Sequence, residues 1–247
     1  MKDLLSFNNV SIFYALPHGQ EVCAINNFSY SFKEGKKYAI IGYSGSGKST
    51  LITTITGSLV FDGEIFLKGK DIESVPIKDR SISFVNQQFS LFPHLTIYDN
   101  IIFPLRNDKA DHEYADERVK EIAKKLNLYF LLTRKPKMIS IGQAARVAIA
   151  KAIIHKRDLM IFDEPLANLD VLMSKRTLKV IKEYANEYKS TVIFVTHDVQ
   201  EALNIADQIL VLDKGTLIGD FTPMEFLHSK NEVVSSLREG LVGNEKD

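Results

Sequence analysis

Gly42-Tyr43-Ser44-Gly45-Ser46-Gly47-Lys48-Ser49-Thr50 decides how this chain folds. It fits G-x-x-x-x-G-K-[ST], the pattern of a phosphate-cradling loop set between a strand and a helix. Tyr38-Ala39-Ile40-Ile41 before it is short and apolar, as a buried parallel strand is, and Leu51-Ile52-Thr53-Thr54-Ile55 after it can begin a helix. Glycine lets successive N–H groups converge on one anion, with the positive helix N-terminus behind them. In that setting Lys48 reaches the β- and γ-phosphates, Ser49 offers its hydroxyl to Mg2+, and Thr50 adds a hydroxyl near the α- and β-phosphates. The alternative is a glycine/serine turn that happens to precede a lysine, and the flanking strand and helix patterns count against it.

At 247 residues there is length for one large domain or two small ones, and 45% apolar with 25% charged residues is ordinary for a globular protein. Lys+Arg and Asp+Glu are equal at 31 each, so the net charge is zero, which argues against a nucleic-acid surface as the main function. Cys23 is the single cysteine, which leaves no internal disulfide or cysteine-rich metal site and is compatible with a reducing compartment. Met1-Lys2-Asp3-Leu4-Leu5-Ser6 lacks the apolar core of a signal peptide. No apolar run approaches the roughly 18–20 residues that cross a bilayer. A soluble chain is expected, one whose role at a membrane requires a partner.

Residues 4–14 and 21–32 read as strands joined by the loop 15–20, and Phe28, Tyr30 and Phe32 alternate with polar residues as in a half-buried strand. Tyr14 near the end of the first could stack on a base or be a core or sheet-surface tyrosine. Asp62-Gly63 reads as a turn before the strand 64–67, and 82–85 as a strand ending in Asn86-Gln87-Gln88. Leu91-Phe92-Pro93-His94-Leu95-Thr96 is an apolar loop that would be wasteful facing only water. Helical patterns follow at 97–105 and 112–127, with a short apolar piece at 129–132. The helix 143–154 is apolar apart from Arg146 and Lys151, and its N-terminal end, with Ser140 and Gly142, is a second candidate anion site. Leu159-Met160-Ile161-Phe162 runs into Asp163-Glu164, either acids delivered to the carboxyl edge of a sheet or a solvated helix cap. A helix 172–188 leads to the strand 191–195 and Thr196-His197-Asp198, where His197 alone could be an ordinary loop histidine. A short helix 199–206, a hairpin 209–221 around Lys214-Gly215 and a helical stretch 223–241 complete the pattern, with a frayed end at 244–247.

In this order and spacing the pieces resemble the nucleotide-binding domain of ABC transporters over nearly the whole chain. Gly42 to Thr50 resembles the Walker A loop, and Gln87 falls at the Q-loop glutamine, ahead of a segment similar to that family's LFPHLTV. Ile139-Ser140-Ile141-Gly142-Gln143 aligns with the signature LSGGQ, in a register set by Arg146 to Ala152. Leu159 to Asp163 resembles Walker B, with Glu164 at the catalytic glutamate. Ala167-Asn168-Leu169-Asp170 resembles the D-loop, His197 the switch histidine, and Tyr14 the adenine-stacking aromatic. The chain departs from the pattern at Ile141 (usually glycine), Ala144-Ala145, Lys151 (usually arginine) and Asn86 (commonly aromatic). These departures bear on how tightly two copies close on ATP rather than on the fold.

The resemblance implies an α/β P-loop NTPase core with an N-terminal antiparallel β subdomain and a helical signature subdomain. The core would comprise 1–87 and 156–222, the helical subdomain 88–155 and a C-terminal tail 223–247, too short for an added regulatory domain. It implies hydrolysis of Mg-ATP: Asp163 and Ser49 order Mg2+, Gln87 senses it, Lys48 offsets phosphate charge, Glu164 polarises the attacking water and His197 holds the γ-phosphate. A second copy would bind head-to-tail, so that Ser140, Gly142 and Gln143 close on the ATP held by the partner's Walker A loop. Membrane permease subunits would dock at 88–98, on the cytoplasmic face of the membrane, and a solute-binding protein would deliver cargo to them. The LFPHLT-like segment and Thr222-Pro223-Met224-Glu225-Phe226 resemble importer ATPases for amino acids or osmoprotectants. The loop 15–20 instead resembles ATPases of lipoprotein and macrolide export. A soluble ABC ATPase acting on nucleic acid or an assembly scaffold, and a scaffold that binds ATP without turnover, are the further alternatives.

Overall fold

The computed structural model describes residues 2–15, 21–106 and 112–243, with side chains of the last helix described to residue 239. Residues 16–20, which carried the resemblance to exporters, and the end 244–247 lie outside the described residues. The chain forms two compact units, Met1–Ile82 with Thr191–Asp247, and Ser83–Ser190. In the first, β1 (Asp3–Ala15) and β2 (Glu21–Lys33) precede β3 (Lys37–Ile41), the loop 42–47, α1 (Lys48–Ile55), β4 (Asp62–Leu67) and β5 (Lys70–Asp71). The second takes over along β6 (Ile82–Val85) and continues through α2 (Ile97–Ile102), α3 (His112–Lys125), α4 (Ile141–Ile153), β7 (Leu159–Asp163) and α5 (Val171–Tyr188). The first unit resumes with β8 (Thr191–Val195), α6 (Val199–Ile205), β9 (Gln208–Asp213), β10 (Thr216–Phe221), α7 (Pro223–His228) and α8 (Glu232–Gly243).

In the first unit β1 pairs antiparallel with both β2 and β4, in the order β2-β1-β4-β5. Phe7, Phe28 and Phe32 are buried on one face of this sheet and meet edge-on, with centroids 5.3 and 6.0 Å apart. Tyr38 of β3 sets its ring 4.9 Å from Phe32, and its hydroxyl accepts from the Lys33 N–H at 2.7 Å, which ties the antiparallel sheet to β3. β3 pairs in parallel with β8 on one side and β9 on the other, and β10 closes antiparallel on β9. Val192, Ile193, Phe194 and Val195 are wholly buried, as an unbroken apolar strand covered on both faces should be. Each such side chain contributes about 1.5–3 kcal/mol.

One local expectation is corrected here and another is refined. Asp62-Gly63 is not a turn but the start of β4, with Gly63 at a bulge where its register against Asn8 and Ser11 shifts. The stretch 223–241 is helical as expected and is divided into two helices. Thr222 opens α7 with a capping box, and Asn231 restarts the chain by accepting from the Val233 and Val234 N–H groups at 3.0 and 3.3 Å. Arg238 seals the break by donating to the Leu227 and Ser229 carbonyls.

The second unit is pinned through α4. Arg146 donates to the Leu126 and Asn127 carbonyls at 2.6 and 3.1 Å, and Arg176 to those of Lys125 and Lys124, so two guanidinium groups cap the end of α3. The α4 helix begins at Ile141, two residues earlier than the expected 143, because Ser140 and Gln143 close a capping box there.

The loop 42–47 is braced by parts distant in sequence. The Lys214-Gly215 turn has both residues at positive φ, as a two-residue hairpin turn of this hand requires. The Gly215 N–H donates to the Ser46 carbonyl at 3.0 Å, and the Gly215 carbonyl accepts from Asn26 N–H at 2.9 Å. A Cβ on Gly215 would come within 2.6 Å of the Ala24 carbonyl oxygen, and one on Gly47 within 2.5 Å of the same atom. Gly215→Ala is therefore expected to cost about 1–3 kcal/mol and to lower Tm by roughly 2–12 °C in a chain of this size. An unchanged melting curve by scanning calorimetry would show that the hairpin does not brace the loop.

Candidate active site

The loop after β3 ends at Gly47, which sits in the left-handed region as the N-cap of α1. No side chain caps that helix end, so its first-turn N–H groups are oriented for an anion. Lys48, only 5% exposed, folds back so that Nζ donates to the Gly42 and Tyr43 carbonyls at 2.8 Å each, with Ser46 Oγ at 3.4 Å. The loop carbonyls among its partners occupy positions that phosphate oxygens can take. Ser44, Gly45 and Ser49 are exposed at the rim and Thr50 is half-buried. Tyr14, 39% exposed near the end of β1, shares a 3.3 Å hydrogen bond with Thr50 Oγ1. The candidate adenine platform thus stands at the first turn of α1.

His197 belongs to the same unit. Ile40 pairs with Val195, and the Thr196 N–H donates to the Ile40 carbonyl at 3.2 Å. The P-loop and the Thr196-His197 turn therefore leave neighbouring parallel strands at one carboxyl edge, where α/β folds bind ligands. Thr196 donates to Glu201 Oε2 at 2.6 Å, and Asp198 caps α6 through the Gln200 and Glu201 N–H groups. His197 stands exposed between these two fixed residues.

The second unit carries the other candidates. Asp163 ends the wholly buried strand β7 and is itself 6% exposed, which removes the alternative of a solvated cap. Glu164 follows at φ 45, a strained setting for a non-glycine residue and one concentrated at functional sites. β7 lies beside β6, and Gln87 is exposed two residues past the end of β6. Ser49, Gln87 and Asp163 each carry a side-chain oxygen, the donor type that suits Mg2+. Ser140 accepts from Gln143 N–H at 3.2 Å while Gln143 Oε1 accepts from Ser140 N–H at 2.9 Å. Gln143 is thus occupied in forming the helix start, and Ser140 retains its O–H to donate.

Sequence reasoning missed how this end of α4 is fixed. A Cβ on Gly142 would lie 2.7 Å from the Asn168 carbonyl oxygen and 3.2 Å from Leu169 Cδ2, so the signature and the 167–170 turn press together within one chain. No local pattern signals that contact; only the two segments' placement does. The loop 88–98 also differs from the exposed apolar surface expected. Phe89 is buried and Leu91, Phe92 and Leu95 are half-buried, with Pro93 and His94 exposed. The cause is Asn100, a buried amide that accepts from Phe92 N–H at 2.7 Å and donates to the Phe92 and Thr96 carbonyls, folding the loop on itself.

The sequence pattern of the family described as ABC transporter matches residues 25–167. The molybdate/tungstate import ATP-binding protein WtpC of Pyrococcus horikoshii is 38% identical over 214 residues, covering 85% of this chain and 62% of that protein. The chain thus spans less than two thirds of that relative's length. Two dimeric solved structures of the ATP-binding cassette MJ0796 are each 28% identical and cover 89% of this chain and 98% of that one. One, a post-hydrolysis state bound to ADP and Pi, superposes with a TM-score of 0.80. The other, described as a bacterial ABC transporter cassette, superposes at 0.81.

The Tyr14 geometry separates two roles. Tyr14→Ala is expected to raise the KM for ATP with kcat little changed, by the equivalent of about 1–3 kcal/mol for one lost base stack. Tyr14→Phe keeps the ring, loses only the Thr50 hydrogen bond and should stay near wild type. Steady-state kinetics with equal KM values for all three proteins would return Tyr14 to the sheet surface.

Proposed function

We propose, on the premise that this chain belongs to the ABC transporter family, that it is the ATP-hydrolysing subunit of a membrane import system. The observation that carries this reading is the Lys48 ammonium, buried and held by loop carbonyls at an uncapped helix N-terminus. On binding ATP, Lys48 exchanges those carbonyls for β- and γ-phosphate oxygens, and the α1 N–H groups share the charge. Ser49, Asp163 and Gln87 are the residues that would hold Mg2+, which when bound neutralises phosphate charge. Glu164 accepts a hydrogen bond from the attacking water and takes its proton as the water adds in line to the γ-phosphorus and the bond to the β–γ bridging oxygen breaks, which releases ADP and inorganic phosphate. Such base assistance supplies about 10²–10⁴-fold. His197 donates to the γ-phosphate and keeps it facing that water, while Tyr14 stacks on adenine.

The working unit is a head-to-tail pair of copies, each closing Ser140 and Gly142 on the other's ATP; that the solved cassettes of similar fold are dimeric supports the pairing itself. In functional terms the chain divides into a nucleotide core at 1–87 and 156–222, a partner-facing helical segment at 88–155 and a tail at 223–247. The 88–98 loop receives permease subunits, which place the pair at the cytoplasmic face of the membrane, and a solute-binding protein feeds the permease. Import is favoured over export by the relative named for molybdate/tungstate import. Cargo is a small solute: that relative supports an oxyanion, while the 91–96 and 222–226 segments support an amino acid or osmoprotectant. Uptake assays with both classes, after co-purification of the permease, decide between them.

Ile141 is 63% exposed, so it does not pack inside the helical segment. It stands at the first turn of α4, where a β-branched side chain meets whatever the second copy presents. Glu164→Gln is expected to retain ATP binding, lose nearly all phosphate release and accumulate as an ATP-bound dimer on size-exclusion chromatography. Adding Ile141→Gly should lower that dimer's dissociation constant several-fold, because the glycine removes bulk from the seam. Normal hydrolysis by Glu164→Gln would sink the assignment of the base, and a weaker dimer with glycine would sink the reading of Ile141.

A further inference from the structure

Two of the residues at which this sequence departs from the pattern it resembles, Asn86 and Lys151, meet on one turn. Directly after Gln87-Gln88 the backbone places Phe89 and Ser90 consecutively in the left-handed region, at φ 62 and φ 36. Neither residue is a glycine, so the turn persists only because its surroundings hold it. Phe89 is 7% exposed and its N–H donates to the Asn86 carbonyl at 3.0 Å. Ser90 Oγ donates to Asn86 Oδ1 at 3.1 Å. From the other side Lys151 Nζ donates to the Ser90 carbonyl at 3.3 Å and lies 4.1 Å from the Phe92 ring centroid, a cation–π distance. Phe92 in turn is fixed by Asn100 and meets Phe103 at 4.6 Å.

Lys151 lies near the C-terminal end of α4, and Ser140 caps the other end. Ten residues of helix separate Ile141 from Lys151, a span of about 15 Å. One rigid, largely buried helix therefore has the signature at its start and a hand on the loop after Gln87 at its end. Ser83 Oγ, donating to the Ala152 carbonyl at 2.9 Å, fixes the same helix end to β6, the strand that leads into Asn86.

We propose that Asn86 and Lys151 are positioning residues whose clasp on Ser90 holds the strained 89–90 turn in one arrangement, and so sets Gln87 and the permease-facing loop relative to the signature helix. The inference rests on the proposed ATPase reading for what Gln87 and the loop do, but the clasp itself is a property of this chain alone. With the clasp released the turn samples unstrained conformers and Gln87 loses its fixed approach. ATP binding, which uses Tyr14 and the 42–50 loop, is unaffected.

The test compares Lys151→Met, which keeps length and loses charge, with Lys151→Arg, which keeps a cation able to donate and to stack. Hydrogen exchange of the purified chain without nucleotide is expected to show amides 88–92 opening about tenfold faster in Lys151→Met and near wild type in Lys151→Arg. Turnover should fall about three- to tenfold in Lys151→Met through kcat, with KM for ATP unchanged and activity restored in Lys151→Arg. Equal exchange in Lys151→Met and wild type, or equal damage in both variants, would overturn the proposal. Should Lys151→Met fail to fold, Asn86→Ala leaves α4 intact and must show the same faster exchange for the clasp to stand. A wild-type chain without ATP turnover overturns the ATPase reading instead, and the exchange comparison still decides the clasp.

Discussion

A lysine ammonium taken out of water needs acceptors, and that requirement at Lys48 governs the first unit. Burying a cation without partners costs several kcal/mol, so the chain wraps the Gly42 and Tyr43 carbonyls to 2.8 Å from Nζ. Only a loop that turns sharply can aim both carbonyls inward, and such a loop has few side chains of its own to hold it. Support comes from outside: β2 lays the Ala24 carbonyl against Gly47, and the β9–β10 turn bonds Ser46 through Gly215. The antiparallel sheet and the C-terminal hairpin thus serve the loop as its scaffold. Neutral carbonyls hold a cation less strongly than phosphate does, so the same geometry that stabilises the resting loop favours an anion replacing it.

The second unit solves a related problem with carboxylates. β7 is apolar until Asp163, which is delivered almost fully buried, and Glu164 is held at a positive φ that costs about 1–3 kcal/mol. Strain of this kind persists where neighbouring contacts fix it, and Leu166 is buried immediately after. The 167–170 turn then abuts Gly142 so closely that no larger residue fits. The first turn of α4 and the 167–170 turn are thus packed directly against each other.

Most of the fold was legible because it is written in local patterns. Buried strands such as 38–41, 159–163 and 191–195 are short apolar runs between polar turns, and the loop 42–50 combines a motif with the right flanks. The expected β subdomain and parallel core sheet are those of the mixed α/β ABC ATPase fold found here and in the cassettes it superposes on. The rest failed where the deciding contact is distant in sequence or lies in a cap. Asp62-Gly63 has the composition of a turn, yet pairing with β1 makes it a bulge. The break at 229–231 depends on Asn231 and Arg238 outcompeting a helical register that the apolar spacing allows equally well. Asn86 and Lys151 read as mere departures until the fold brought both onto Ser90. The braces at Gly215 and Gly142 carry no signal beyond the glycine itself.

The central claim is that the 42–50 loop is a phosphate cradle whose lysine changes partners when the nucleotide enters. A crystal structure of the chain with Mg2+ and a non-hydrolysable ATP analogue tests it most directly. The account predicts the β- and γ-phosphates at the α1 N-terminus, Lys48 Nζ moved from the Gly42 and Tyr43 carbonyls onto phosphate oxygens, and the adenine against Tyr14. A nucleotide bound elsewhere, or one bound with Lys48 still on its loop carbonyls, would contradict it.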